Sequence, residues 1–141
     1  MILNLNWQKM SKYKMTPEES IRNIKAVLSD DLLSRNYRYI SELKNRDITT
    51  GHCYIASEAL YHLIGGKKSG YSPRVARESD GETHWYLENK DGKKLDPTRS
   101  QYTKIGEEPP YAKGRGCGFL TRKPSKRASI IIQRIKLMRK K

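Results

Sequence analysis

Apolar residues recur along this chain first at helical and then at strand spacing. Ile21, Ile24, Val27 and Leu28 fall three or four apart and make one helix face. Thr16-Pro17-Glu18-Glu19 precedes them and supplies the start: Thr16 as N-cap, Pro17 at the first helical position, and Glu19 to complete a capping box. A second set follows in Leu32, Leu33, Tyr37, Tyr39, Ile40 and Leu43, with Asp30 or Asp31 as cap, and predicts a second helix over 30–43. "KNRDITTGH" breaks the pattern and predicts a loop. Ile55, Ala56, Ala59, Leu60, Leu63 and Ile64 predict a third helix that begins at or just before Cys53 and ends at Gly65-Gly66.

Beyond that point the runs shorten. "KKSGYSP" predicts a loop, "RVAR" (74–77) a short strand, and "THWYLEN" (83–89) a strand with "KKLDPT" as its partner, ended by Pro97. "GEEPPYAKGRGCGF" is rich in glycine and proline and predicts a loop. From Ser125 a last helix is expected, with Ala128, Ile131, Ile132, Ile135 and Met138 as its apolar stripe. Helices come first and strands later, which predicts an α+β fold with an antiparallel sheet in one domain over 1–141.

Composition narrows this picture. At 141 residues and 35% hydrophobic, the chain supports one modest core. No run approaches the length of a membrane span, and "MILNLNWQKMSKYKM" does not read as a leader peptide. Two cysteines cannot build a disulfide framework, so a reduced, cytoplasmic protein is expected. The formal charge of +14 is unevenly spread. Residues 1–100 hold 17 Lys+Arg and 13 Asp+Glu, whereas residues 101–141 hold 12 and 2. The basic segment 122–141 suits a nucleic acid or another acidic partner, or else a solvated face. Its three consecutive isoleucines predict a docked helix with a frayed tip at Arg139, Lys140 and Lys141.

The candidate chemistry centres on Cys53, which the pattern puts at a helix start. Unpaired N–H groups and the helix dipole favour a thiolate there, and the same N–H groups can hold an oxyanion. A thiol nucleophile also needs a base, and the base an orienting group. His52 adjoins Cys53, so the two side chains diverge, and His62 lies more than two turns into the helix. His84 opens a later strand and is the best base. Asp96 is the candidate orienter, and the turn tests it. Asn89-Lys90-Asp91-Gly92 suits a three-residue loop that pairs Asn89 with Lys93, and so Tyr86 with Asp96. His84, Tyr86 and Asp96 then share one face. A two-residue turn would put Asp96 on the other face.

The ordered blocks Gly51-x-Cys53, Thr83-His84-Trp85-Tyr86 and Leu95-Asp96-Pro97-Thr98 resemble the core of the transglutaminase-like branch of the papain-like cysteine enzymes. The resemblance covers about a third of the chain, in compact form. It implies Cys53 as nucleophile, His84 as base and Asp96 as orienter, and an acyl-transfer activity: amide hydrolysis, deamidation or transamidation. The acyl substrate, whether a protein, a peptide or a small molecule, is not identified. Such a size suits a small accessory protein of a phage or bacterium.

Each residue has a plainer reading. A lone cysteine on an apolar helix usually packs as a small hydrophobe, and an aspartate before proline is an ordinary turn residue. Only their joint placement points to chemistry. Cys53, His52, His84 and Cys117 lack the paired spacing of a zinc site, and a zinc-deaminase signature is absent, so no metal and no cofactor are expected. Cys117 is expected to pack in its loop, and Trp85, opposite His84, in the core. Gly114-Arg115-Gly116 reads as a connector. The competing reading is a basic nucleic-acid-binding protein in which the triad is vestigial or coincidental.

Overall fold

A computed structural model describes residues 15–139. The opening segment 1–14, and Lys140 and Lys141 of the expected frayed tip, lie outside the described residues. The fold is α+β. Among the described residues a four-stranded antiparallel sheet has the order β3-β2-β1-β4, from β1 (Tyr71–Arg77), β2 (Thr83–Asn89), β3 (Lys94–Leu95) and β4 (Gly114–Gly116). The helices are α1 (Pro17–Val27), α2 (Cys53–Leu63), α3 (Ser100–Lys104) and α4 (Lys126–Arg139), of which α2 packs on the sheet and α1 and α4 pack on α2.

The start of α1 is built as the sequence predicts. Thr16 Oγ1 accepts the Glu19 N–H at 3.1 Å, and Pro17 opens the helix. The expected second helix is instead two 3₁₀ stretches, Asp30–Leu32 and Arg35–Glu42. Leu33 and Ser34 between them are extended, with ψ of 138° and 162°. Leu32, Leu33 and Ile40 are buried, while Tyr39 and Leu43 are exposed. The extended backbone at Leu33 and Ser34 breaks the segment, which packs as short connectors and not as one α-helix. Arg46 anchors it, with Nη2 donating to both oxygens of Asp30 at 2.7 Å.

Helix α2 is the centre of the molecule. Eight of its residues are buried, on all sides, as expected of a helix enclosed by other elements. It contacts β1, β2, α1 and α4. Its start is possible because Gly51 has φ of +85°, and a Cβ there would lie 2.7 Å from Ile40 Cδ1. Glu58, fully buried on α2, accepts the Ser125 N–H at 2.8 Å and the Ser125 hydroxyl at 2.7 Å. Burial pushes its carboxyl up, against the Ser125 bonds. The carboxylate thereby ties the start of α4 to α2, where the helix dipole favours it.

The C-terminal helix docks as expected: Ala128, Ile131, Ile132 and Ile135 are buried, but the helix still runs through Arg139. Two of its arginines turn inward. Arg127 donates to the Leu32 carbonyl at 2.8 Å, and Arg134 to the Val27 carbonyl at 3.0 Å and to Asp31 at 2.9 Å. No helix among the described residues is long and apolar enough to cross a membrane.

Several other elements differ from expectation. Strand β1 starts at Tyr71, ahead of the predicted 74–77, and residues 66–69 form a 3₁₀ turn. The glycine-rich segment expected as a loop contains β4, which pairs Val75 with Arg115. A Cβ on Gly114 would lie 1.7 Å from Tyr86 Oη, so glycine lets this strand close over the Tyr86 ring.

Candidate active site

The site is assembled by the hairpin of β2 and β3. The Asn89 N–H donates to the Lys93 carbonyl at 3.0 Å across a three-residue loop, with Gly92 at φ of +82°. Asn89 Oδ1 also accepts the Asp91 and Lys93 N–H groups at 3.0 and 2.8 Å. Leu87 therefore faces Leu95. The next pair along sets Tyr86 across from Asp96, so alternation brings His84 and Asp96 to one face.

His84 Nε2 lies 2.6 Å from Asp96 Oδ2, with the two side chains 1% and 3% exposed. Burial opposes charge on the ring. The Asp96 hydrogen bond, followed by Cys53, outweighs it and pushes His84 up to about 9. Aromatic rings wall the imidazole: Tyr86 is stacked on it at 5.9 Å, and Tyr102 meets it edge-on at 4.8 Å.

Asp96 is held by more than His84. Its Oδ1 accepts the Thr98 N–H at 3.1 Å. Its Oδ2 also accepts the Tyr111 hydroxyl at 2.8 Å, and Arg99 Nη1 donates to that hydroxyl oxygen at 3.1 Å. Each bond favours a carboxylate that accepts and does not donate.

Cys53 is the first residue of α2 and is half-buried. Its Sγ–H points at the Thr83 carbonyl, 3.6 Å away, and Ser57 Oγ donates to the Trp85 carbonyl at 3.0 Å. Two successive turns of α2 thus bond to alternate carbonyls of β2, which fixes the thiol beside the strand that carries His84. Asp96 takes Nε2 of the ring, so Nδ1 is the nitrogen available to the thiol. The first intrahelical bond runs from the Ala56 N–H to the His52 carbonyl at 2.9 Å. The N–H groups of Cys53, Tyr54 and Ile55 precede it and have no intrahelical acceptor.

A polar knot joins the two halves of the site. Asp47 Oδ2 accepts the Thr49 N–H at 2.9 Å, the Thr49 hydroxyl, and the Ser100 hydroxyl at 2.7 Å. Buried Thr49 also donates to the Thr98 carbonyl at 3.3 Å. The loop before Cys53 is thereby tied to the turn after Asp96. Burial raises the Asp47 carboxyl, but the Thr49 and Ser100 bonds prevail and hold it below its ordinary value.

Cys53 opens into a groove of about 420 Å³ lined by Tyr37, Tyr54, Trp85, Tyr102 and Ile105 among others. Trp85 does not enter the core as expected. It is half-buried, edge-on to Tyr54 at 4.8 Å and stacked on Phe119 at 5.7 Å. It lies beside the first turn of α2, with these rings packed against it.

The remaining candidates stand apart. His52 is the N-cap residue of α2 and is 1% exposed, with no hydrogen-bond partner for either ring nitrogen among the described residues. Burial pushes it down to about 4. His62 is buried farther along the helix and is likewise pushed down to about 4. Cys117, half-buried beyond β4, does not line the groove. Among the described residues no group of three or more His, Cys, Asp or Glu side chains is placed to hold a metal ion. Sequence reasoning missed Tyr111, Arg99 and Tyr102. Tyr111 lies in the segment expected as a loop, and no local pattern marks it as a neighbour of Asp96.

Comparison with protein-family models, with curated proteins and with solved structures finds no match for this chain.

Proposed function

We propose that this protein is a cysteine-dependent acyl-transfer enzyme of transglutaminase-like type, working through Cys53, His84 and Asp96. The observation that carries the reading is the buried 2.6 Å pair of His84 and Asp96, set against the first turn of the helix that Cys53 begins. In the first step Cys53 Sγ bonds to the carbonyl carbon of an amide or thioester. The carbonyl oxygen takes the negative charge and faces the Cys53 and Tyr54 N–H groups. His84 gives a proton to the leaving amine or thiol as the tetrahedral species collapses to a thioester on Cys53. In the second step water or an amine passes its proton to His84, attacks the thioester and releases the thiolate. Asp96 stays ionised, orients the ring and balances its charge.

The test is intact-protein mass after a short exposure to iodoacetamide, compared between the natural chain, Cys53→Ala and His84→Gln. Rapid single modification confined to Cys53 and slowed by loss of His84 supports the reading. Modification of Cys53 at the same rate in His84→Gln refutes it.

A second reading rests on a different observation. Arg122, Lys123, Lys126, Lys136 and Arg139 are all exposed on the C-terminal segment. We propose this face as a polyanion-binding surface, such as one for nucleic acid. Affinity should fall steeply with salt and be indifferent to Cys53→Ala. Absence of binding at low salt removes this reading and leaves the first intact.

A further inference from the structure

Three large apolar side chains stand open around the mouth of the groove that holds Cys53. Tyr39 is 58% exposed, Leu43 49% and Ile105 64%, and all three line the groove. Tyr39 belongs to the 3₁₀ stretch Arg35–Glu42, Leu43 caps that stretch, and Ile105 caps α3. They converge on one opening from two separate parts of the chain, and Tyr54 and Trp85 continue the apolar lining beside the thiol. A chain with only 35% hydrophobic residues leaves these uncovered at one place. A clustered apolar rim of this kind marks a binding surface. The groove's volume of about 420 Å³ falls within the range of ligand pockets.

Charge narrows the occupant. Arg46, Arg127, Glu78 and Glu82 also line the groove. Arg46 is paired with Asp30 at 2.7 Å, whereas Arg127 donates to the neutral Leu32 carbonyl at 2.8 Å and keeps its charge. Glu78 is met only loosely by Lys113 at 3.6 Å, in a pair open to water. Glu82 is exposed beside Tyr37, whose phenol is raised first by burial and then by that carboxylate. The two cations and two carboxylates of the lining balance, so the groove has no net charge of its own to meet a charged ligand.

We propose that the groove takes a hydrophobic acyl donor without negative charge: a peptide-like group with a large aromatic or branched apolar side chain next to the reacting carbonyl. That side chain seats against Tyr39, Leu43 and Ile105 while the carbonyl lies over Cys53. A carboxylate in that place would lose its hydration against these apolar side chains. The inference rests on the acyl-transfer reading and adds its substrate class.

Three electrophiles with one reactive group test it: vinyl sulfones built on N-acetyl phenylalanine, glycine and glutamate. The Cys53 sulfur bonds to the alkene carbon β to the sulfone, next to the residue's Cα, and the carbon α to the sulfone takes a proton, so nothing leaves. Rates are read from protein mass. The phenylalanine probe should react about 10-fold or more faster than the glycine probe, and the glutamate probe slowest. Ile105→Asp, at an exposed position, should bring the phenylalanine-to-glycine ratio toward one. Equal rates for the three probes, with modification still dependent on His84, overturn the substrate class and leave the acyl-transfer reading standing. Failure of Cys53 to react with any probe or with iodoacetamide overturns both.

Discussion

His84 and His52 are equally sealed, each 1% exposed, and one neighbours Cys53 through the fold while the other adjoins it in sequence. Their protonation runs in opposite directions. His84 is pushed up to about 9 and His52 down to about 4. Burial penalises the charged ring in both. At His84 a carboxylate at hydrogen-bond distance reverses the sign. At His52 the nearest carboxylate, Asp30, is already held through both oxygens by Arg46. Depth sets the cost of charge, and a bonded counter-ion decides whether charge survives. At the same depth one histidine is thus held protonated at neutral pH and the other neutral.

The largest break in this contrast should come from His84→Gln. Alkylation of Cys53 at neutral pH should slow by roughly 10²–10⁴-fold, the range of general acid–base effects. His52→Gln should leave the rate within a few-fold, which stopped-flow or mass kinetics resolves.

Asp96→Ala should turn His84 into a second His52. Its titration midpoint, followed by NMR of the ring protons, should move from about 9 to below the ordinary 6.5. Stability at neutral pH should fall by about 3 kcal/mol, because the buried hydrogen-bonded pair is lost and the ring must give up its proton. A midpoint that stays near 9 would show that Asp96 is not the cause.

Tyr111→Phe removes one donor from Asp96 while the His84 bond remains. The expected cost is about 1.5 kcal/mol, as for a hydrogen bond to a charged group. The carboxylate, less well satisfied, should hold the imidazolium more tightly, so the His84 midpoint should rise. Urea unfolding and the same NMR titration measure the two effects.

The smallest effect concerns pH and His52. Free histidine titrates near 6.5. The folded state holds His84 protonated to about 9, so this contribution to stability is complete below pH 6.5 and lost as pH rises through about 9. The folded state keeps His52 neutral to about 4, so its contribution is complete above pH 6.5 and lost as pH falls through about 4. His52→Leu should change stability at pH 7 by less than about 1 kcal/mol and shift the acid unfolding midpoint slightly lower. His62, also pushed down to about 4, should preserve part of the acid limb.

Local chemistry made much of the scaffold legible. Thr16-Pro17 opens α1, the expected Cys53 start is the observed start of α2, and Asn89 with Gly92 fixes the hairpin loop. Each depends on residues within a few positions of one another. The hairpin register followed from the loop length, and with it the pairing of His84 and Asp96. The second helix failed because apolar count does not reveal which residues find cover, and Tyr39 and Leu43 find none. Strand β4 was hidden because its glycines look like loop residues until the Tyr86 ring is set against them.

By itself, the sequence determined the first, Cys53 and C-terminal helices, the hairpin of β2 and β3, and the common face of His84 and Asp96, since backbone periodicity and turn geometry are short-range. Tertiary structure alone decided that Tyr111 and Arg99 complete the carboxylate's shell, that Asp47 ties residues 47–49 to 98–100, and that Trp85 walls a groove. It also decided the opposite charge preferences of His84 and His52. Hydrogen bonds and solvent exclusion act through space, and no spacing along the chain encodes which distant side chain arrives first.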